Sequence, residues 1–149
     1  MKIEDEIKQA KFRDAYQKVA VNLLFTSNWL VSRQHEFFKP FGITTQQFNI
    51  LRILRGQHPN QISGVEIKGR MLDRNSDISR LLDRLLKKEL VTKSQSENDK
   101  RAANVSITEK GLILLGKIDE KFQEAERGHF NLTEAEALQL SQLLDKARG

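Results

Sequence analysis

"DRNSDISRLLDRLLKKELV", residues 73 to 91, is the stretch on which the reading of this chain turns. Ile78, Leu81, Leu82 and Leu85 fall at i, i+3, i+4 and i+7, so a helix would gather them into one buried stripe. The other side would hold Ser76, Arg80, Asp83, Arg84 and Lys87. Asp73, Asn75 and Ser76 all favour helix N-caps, which leaves Ser76, Asp77, Ser79 and Arg80 near an exposed N-terminus. Unpaired amides and the helix dipole favour phosphate there. The major groove of B-DNA is about 12 Å wide and accepts one such helix, whose Arg, Ser, Asn and Asp side chains then meet base edges. An ordinary amphipathic surface helix carries the same pattern, so the flanking segments decide between the two.

Downstream, "LVTKSQ" and "ANVSI" are short β-compatible runs, with Val105 and Ile107 alternating with Asn104 and Ser106. The polar turn from Ser96 to Arg101 joins them. Upstream, "KPFGI" breaks a helix, and Thr44 or Thr45 caps the next, which turns Phe48, Leu51 and Leu54 inward. "GQHPNQ" reads as a loop. Ser63-x-x-Glu66 has capping-box spacing and opens a brief helix ending near Arg70 to Leu72. Three helices followed by a hairpin is the order of a winged helix. At the tip of such a wing, Lys100 and Arg101 are candidates to lie along phosphates or, for Arg101, to enter a narrow minor groove. Asp99 cannot usefully touch phosphate and is expected to pin a neighbouring Arg by a charge-assisted hydrogen bond.

Both ends of the chain read as helical. From Glu4 to Phe38 no Pro or Gly interrupts, and Phe12, Tyr16, Val19, Leu23 and Leu30 recur at helical spacings. One helix of that length would span roughly 50 Å, more than a domain of this size is wide, so it is expected to pack against a second chain. Ala20, Leu24, Phe25 and Val31 flank the stripe too broadly for a strict heptad seam, which favours a bundle over a coiled coil. Near the other end, Thr108 caps a run placing Leu112, Leu115, Ile118 and Phe122 on one side, with Gly128 expected to end it. Thr133-x-x-Glu136 starts a last helix holding Leu140, Leu143 and Leu144.

The 149 residues suit one domain, and the net charge of +5 is unevenly spread. Residues 1–39 carry seven basic and five acidic side chains, residues 40–101 twelve and seven, and residues 102–149 six and eight. A basic centre between near-balanced flanks suggests an anionic partner, nucleic acid being the commonest. The absence of Cys excludes disulfides and thiolate metal sites. His35, His58 and His129 are too scattered for a metal site, and no cofactor is expected. No nucleophile sits with a base, and "KGLILLGK" lies inside a helical pattern rather than a phosphate loop, so no enzyme is expected. Without a run of about 18 apolar residues or a signal peptide, the chain is expected to be cytoplasmic and to make no membrane contact.

"SRLLDRLLKKELV" followed by "ENDKRAANVSITEKG" resembles the signature of the multiple-antibiotic-resistance regulator (MarR) family of winged-helix repressors. The resemblance covers residues 44 to 115; its most specific pieces are Asp99-x-Arg101, "SITEKG" and Arg80 to Leu86. It implies a mainly α fold with a small β-hairpin wing: a winged helix-turn-helix lobe over residues 44–108, with helical dimerisation parts at 1–39 and 112–149. It further implies a homodimer, interlocked through those helices, that represses by binding a pseudo-palindromic operator in double-stranded DNA. The recognition helix would begin near Asn75, Asp83 and Arg84 would link helix to wing, and Arg101 would be the minor-groove arginine. Where the family often has Gly before "LV" this chain has Glu89, so a differently built helix-to-strand corner is expected. Many relatives release DNA when a small aromatic or anionic effector enters the crevice between dimer bundle and lobe; Phe25, Trp29 and His35 are the candidates to line it. A winged lobe serving protein–protein contact is the alternative. Its association would hardly change with salt, whereas phosphate neutralisation declines steeply.

Overall fold

The computed structural model describes residues 1–95 and 103–149. Its elements are α1 (Ile3–Glu6), α2 (Ala15–Phe38), a 3-10 turn (Lys39–Phe41), α3 (Thr45–Gln57), β1 (Ile62–Ser63), α4 (Gly64–Arg70), α5 (Ile78–Lys87), β2 (Val91–Gln95), β3 (Ala103–Ile107), α6 (Glu109–His129) and α7 (Glu134–Arg148). The fold is mainly helical around a small antiparallel sheet of order β1-β3-β2.

The single N-terminal helix expected from Glu4 to Phe38 is in fact two. Lys8 takes a φ of 54°, and the Asp14 carboxylate accepts from the Gln17 amide at 2.8 Å, so α2 starts afresh at Ala15. The Gln17 side chain closes the cap by accepting from the Arg13 amide at 2.6 Å. Helical spacing of apolar residues runs through this segment, yet a side-chain cap satisfies the first-turn amides locally and wins. The short α1 is held by burial of Ile3 and by an ion pair of Glu4 with Lys18 at 2.6 Å.

Three helices begin with reciprocal caps. Thr44, not Thr45, caps α3, with Gln47 returning the bond; Ser63 and Glu66 do the same for α4, and Thr133 and Glu136 for α7. The Ser63 amide and hydroxyl hold the Glu66 carboxyl below its ordinary range, and those of Thr133 act likewise on Glu136. The core gathers Phe48, Ile50, Leu51 and Leu54 of α3, Ile67 of α4, the expected stripe of α5, Val105 and Ile107 of β3, and Leu115, Ile118 and Phe122 of α6. Phe38 joins it from the end of α2, its ring 4.4 Å from Phe48 and 5.5 Å from Phe122, centroid to centroid. Thus the core ties the start of α6 and the end of α2 to the central lobe. By contrast, no residue of α7 is buried.

β2 and β3 form the hairpin, in register from Val91 opposite Ile107 to Gln95 opposite Ala103, while the two-residue β1 pairs Ile62 with Val105 on the other side. The corner from α5 into β2 departs from expectation. Glu89 itself adopts the left-handed conformation, at a φ of 58°. The Glu89 amide donates to Leu86 O at 2.9 Å and the Leu90 amide to Leu85 O at 3.1 Å, the paired bonds of a glycine-type C-cap built here on glutamate. Thr108, the N-cap of α6, donates its hydroxyl to Glu89 O at 2.8 Å and so ties this corner to the next helix. α6 continues through the expected stop at Gly128 to His129, with Phe130 leaving in an extended conformation.

Candidate nucleic-acid interface

α5 buries one face completely enough to fix what the other presents. Ile78, Leu81, Leu82 and Leu85 are all buried, so Ser79, Arg80, Asp83, Arg84 and Lys87 point outward. Asp77 is the N-cap, its carboxylate accepting from the Arg80 amide at 3.1 Å. The helix therefore starts at Ile78, three residues later than the start expected near Asn75. The segment before it is a turn in which Asp73 accepts from the Asn75 amide at 2.9 Å. Asn75 is exposed there, whereas Ser76 is only 5% exposed. Its hydroxyl faces Gln46 Nε2 at 3.2 Å, so Ser76 is a buried anchor and not one of the outward side chains.

The hairpin is braced against this helix. Lys93 on β2 pairs with Asp83 of α5 at 3.1 Å, a partner the sequence did not single out. Thr92 and Ser106 share a hydrogen bond of 2.9 Å across the strands, and Ser94 donates to Gln61 at 2.6 Å, fastening the strand to the loop before β1. Asp99, Lys100 and Arg101 lie outside the described residues, in the segment joining Gln95 to Ala103. Further cations are exposed on the approach to α5: Lys68 and Arg70 in the last turn of α4, and Arg74 in the turn. The basic excess of residues 40–101 signalled them, although helical periodicity did not assign them a face.

The residues expected to line one crevice do not meet. Phe25 and Trp29 border a cavity of about 290 Å³ beside Met1 and Ile3, while His35 borders a separate cleft of about 830 Å³. Six positions on a helix turn a side chain through about 600°, which leaves His35 about 120° round from Trp29. The larger cleft runs between α2 and the turn before α5, along Gln46, Asn49, Met71 and Leu72. Among the described residues no cluster of His, Asp or Glu is placed to hold a metal ion, and no helix is long and apolar enough to cross a membrane.

The sequence profile of the MarR family matches residues 43–103, from just before α3 to the first residue of β3. The chain is 32% identical over 105 residues to the uncharacterized HTH-type transcriptional regulator YpoP of Bacillus subtilis, a match spanning 70% of this chain and 73% of YpoP. It belongs to the MarR family. Among solved MarR-family structures, that of a MarR transcription factor from Planctomyces limnophilus superposes with a TM-score of 0.70 at 30% identity, covering 91% of this chain and 98% of that one. A mutant MarR from E. coli complexed with operator DNA gives a TM-score of 0.75 at 28% identity, covering 90% and 98%. In this MarR-family chain the winged helix-turn-helix of a transcription regulator is thus made of α3, α4, α5 and the β2–β3 hairpin.

Proposed function

We propose that this chain is a sequence-specific DNA-binding repressor, acting in the cytoplasm as a homodimer on a pseudo-palindromic operator, and not an enzyme. The observation that carries the reading is the division of α5: four apolar side chains sealed in the core, with Ser79, Arg80, Arg84 and Lys87 outside. A helix so seated presents its N-terminal half rigidly, which base reading requires. Asn75 and the capped end at Asp77 form the leading edge, Arg80 and Arg84 are placed for base edges or phosphates, and Lys87 for the backbone. Lys100 and Arg101 complete the interface as wing contacts, with Asp99 orienting Arg101. Ser76 is left out because it is buried. The domain division follows: residues 44–108 bind DNA, while residues 1–39 and 112–149 supply the dimer, a role supported by the uncovered apolar side chains Tyr16, Leu24, Leu138 and Leu143. The cleft lined by His35, Gln46 and Met71 is the place in this chain for a small aromatic or anionic effector.

The test is binding of the purified chain to its own upstream intergenic DNA and to a scrambled duplex across a salt series. Preference for the upstream duplex, with affinity falling steeply as salt rises, is expected from release of counterions at about 0.9 per phosphate neutralised. Equal binding to both duplexes, or association indifferent to salt, would overturn the reading in favour of a protein-binding lobe.

A further inference from the structure

Between the end of α4 at Arg70 and the start of α5 at Ile78 the chain has almost no apolar anchorage. Met71 is buried, but Leu72 is 89% exposed and Asp73, Arg74, Asn75 and Asp77 are all exposed. What holds this turn is polar and comes from one helix. The Asn49 side-chain oxygen accepts from the Leu72 amide at 2.9 Å. Gln46 Nε2 lies 3.2 Å from Asp73 Oδ2 and 3.2 Å from Ser76 Oγ, the buried hydroxyl that precedes the α5 cap. Asp73 in turn accepts from the Asn75 amide through its other oxygen. Gln46 and Asn49 stand three positions apart on α3, hence on one face, and grip the turn at its beginning, middle and end.

We propose that Gln46 and Asn49 are positioning residues for DNA recognition: the two amides set the turn 72–77 and, through it, the pose of the α5 N-terminus. The proposal rests on the reading of α5 as the recognition helix. Both residues stand on α3 and not on α5, Gln46 exposed and Asn49 half-buried. Their effect is on geometry: a turn released from α3 lets Asn75, Asp77 and the first turn of α5 shift. Base contacts are sensitive to such a shift, while phosphate contacts from long, flexible Lys and Arg side chains tolerate it. Sequence discrimination should therefore suffer while general attraction to DNA does not.

The two amides act with opposite polarity, Gln46 as a donor and Asn49 as an acceptor, and the variants exploit that difference. The probe is a duplex enriched by the wild-type chain from a random pool, compared with an unselected duplex of equal length. Gln46→Met, which keeps length but removes the donor, is expected to lose about tenfold in affinity for the enriched duplex. Its affinity for the unselected duplex, its salt slope and its melting temperature should stay near wild type. Gln46→Glu sets a carboxylate against Asp73 and should lose as much. Gln46→Glu combined with Asp73→Asn restores a donor–acceptor pair of reversed polarity and should recover discrimination. Asn49→Asp keeps the acceptor for the Leu72 amide and should bind as wild type, whereas Asn49→Leu should not. Unchanged discrimination in Gln46→Met and Asn49→Leu overturns the proposal, and so does parallel loss of stability and of both affinities, which would make the role structural only. A wild-type chain that enriches no sequence from the pool removes the recognition reading itself, an outcome distinct from either.

Discussion

Glu89 occupies a conformation that an L-residue with a side chain enters at a cost of about 1–2 kcal/mol, because its Cβ crowds the following carbonyl. Its carboxylate recovers part of this in an ion pair with Lys110 at 3.3 Å, yet both side chains are well exposed and such pairs contribute roughly 0–1 kcal/mol. Strain outweighs the pair. Glu89→Gly is therefore expected to raise stability by about 1 kcal/mol, visible as a higher melting temperature; a lower one would show that the Lys110 contact dominates the corner. Gly111 works in the opposite sense. α6 approaches the same corner so closely that a Cβ at this position would lie 2.5 Å from Leu90 O and 2.7 Å from a side-chain carbon of Ile107. Backbone cannot yield as a flexible side chain would, so Gly111→Ala should destabilise the fold by about 1–3 kcal/mol in denaturant titration. Full stability in that variant would mean that α6 can move away from the hairpin without loss.

At the scale of elements, spacing carried most of the information. The α5 stripe, the inward Phe48, Leu51 and Leu54 of α3 and the caps at Ser63, Thr108 and Thr133 all follow from local pattern, because burial on one face and orphan amides at a helix start are local demands, while pattern left the α3 cap between Thr44 and Thr45. What escaped was decided by distant partners or by competition among equals. Asp73, Asn75, Ser76 and Asp77 are all good caps, and the choice of Asp77 follows from Ser76 being drawn inward by Gln46, thirty residues earlier. The two residues of β1 are strand only because Val105 pairs with Ile62. At the crevice, periodicity already placed His35 on a different side of α2 from Trp29, whereas the family resemblance had grouped them on the long helix. The caps also carry a pH signature. The carboxyls of Glu66 and Glu136 titrate below the ordinary value of 4.5 in the folded chain, chiefly through the amides of Ser63 and Thr133. A depressed folded-state value stabilises the fold above about pH 4.5, and the contribution fades as pH falls through the lower folded value. The wild-type chain should therefore lose more melting temperature between pH 7 and pH 3 than a Glu66→Gln, Glu136→Gln double variant, whose amides cap without titrating. Equal losses would mean these boxes do not contribute to acid sensitivity.

For the whole molecule the unbalanced feature is α7, fifteen residues with no buried side chain and with Leu138, Leu140 and Leu143 exposed at 61%, 43% and 56%. An isolated helix of this length is marginal in water, and apolar residues at helical spacing gain nothing while exposed. α2 adds Tyr16, Val19 and Leu24, exposed at 86%, 54% and 69%, so both ends of the chain carry apolar faces that the winged lobe does not cover. A second copy of the chain would cover them, and two lobes joined in this way bind two half-sites with the second contact made at high effective concentration. The wild-type chain should accordingly sediment at about twice its 17.2 kDa and protect two half-sites about one helical turn apart. Leu140→Glu with Leu143→Glu should yield a monomer whose lobe still melts cooperatively, because the core from Phe38 to Phe122 contains neither residue. That monomer should bind a full operator hardly better than an isolated half-site. Sedimentation as a dimer after both substitutions would place the interface elsewhere. A monomer that keeps full operator affinity would show that pairing of the lobes contributes nothing to recognition.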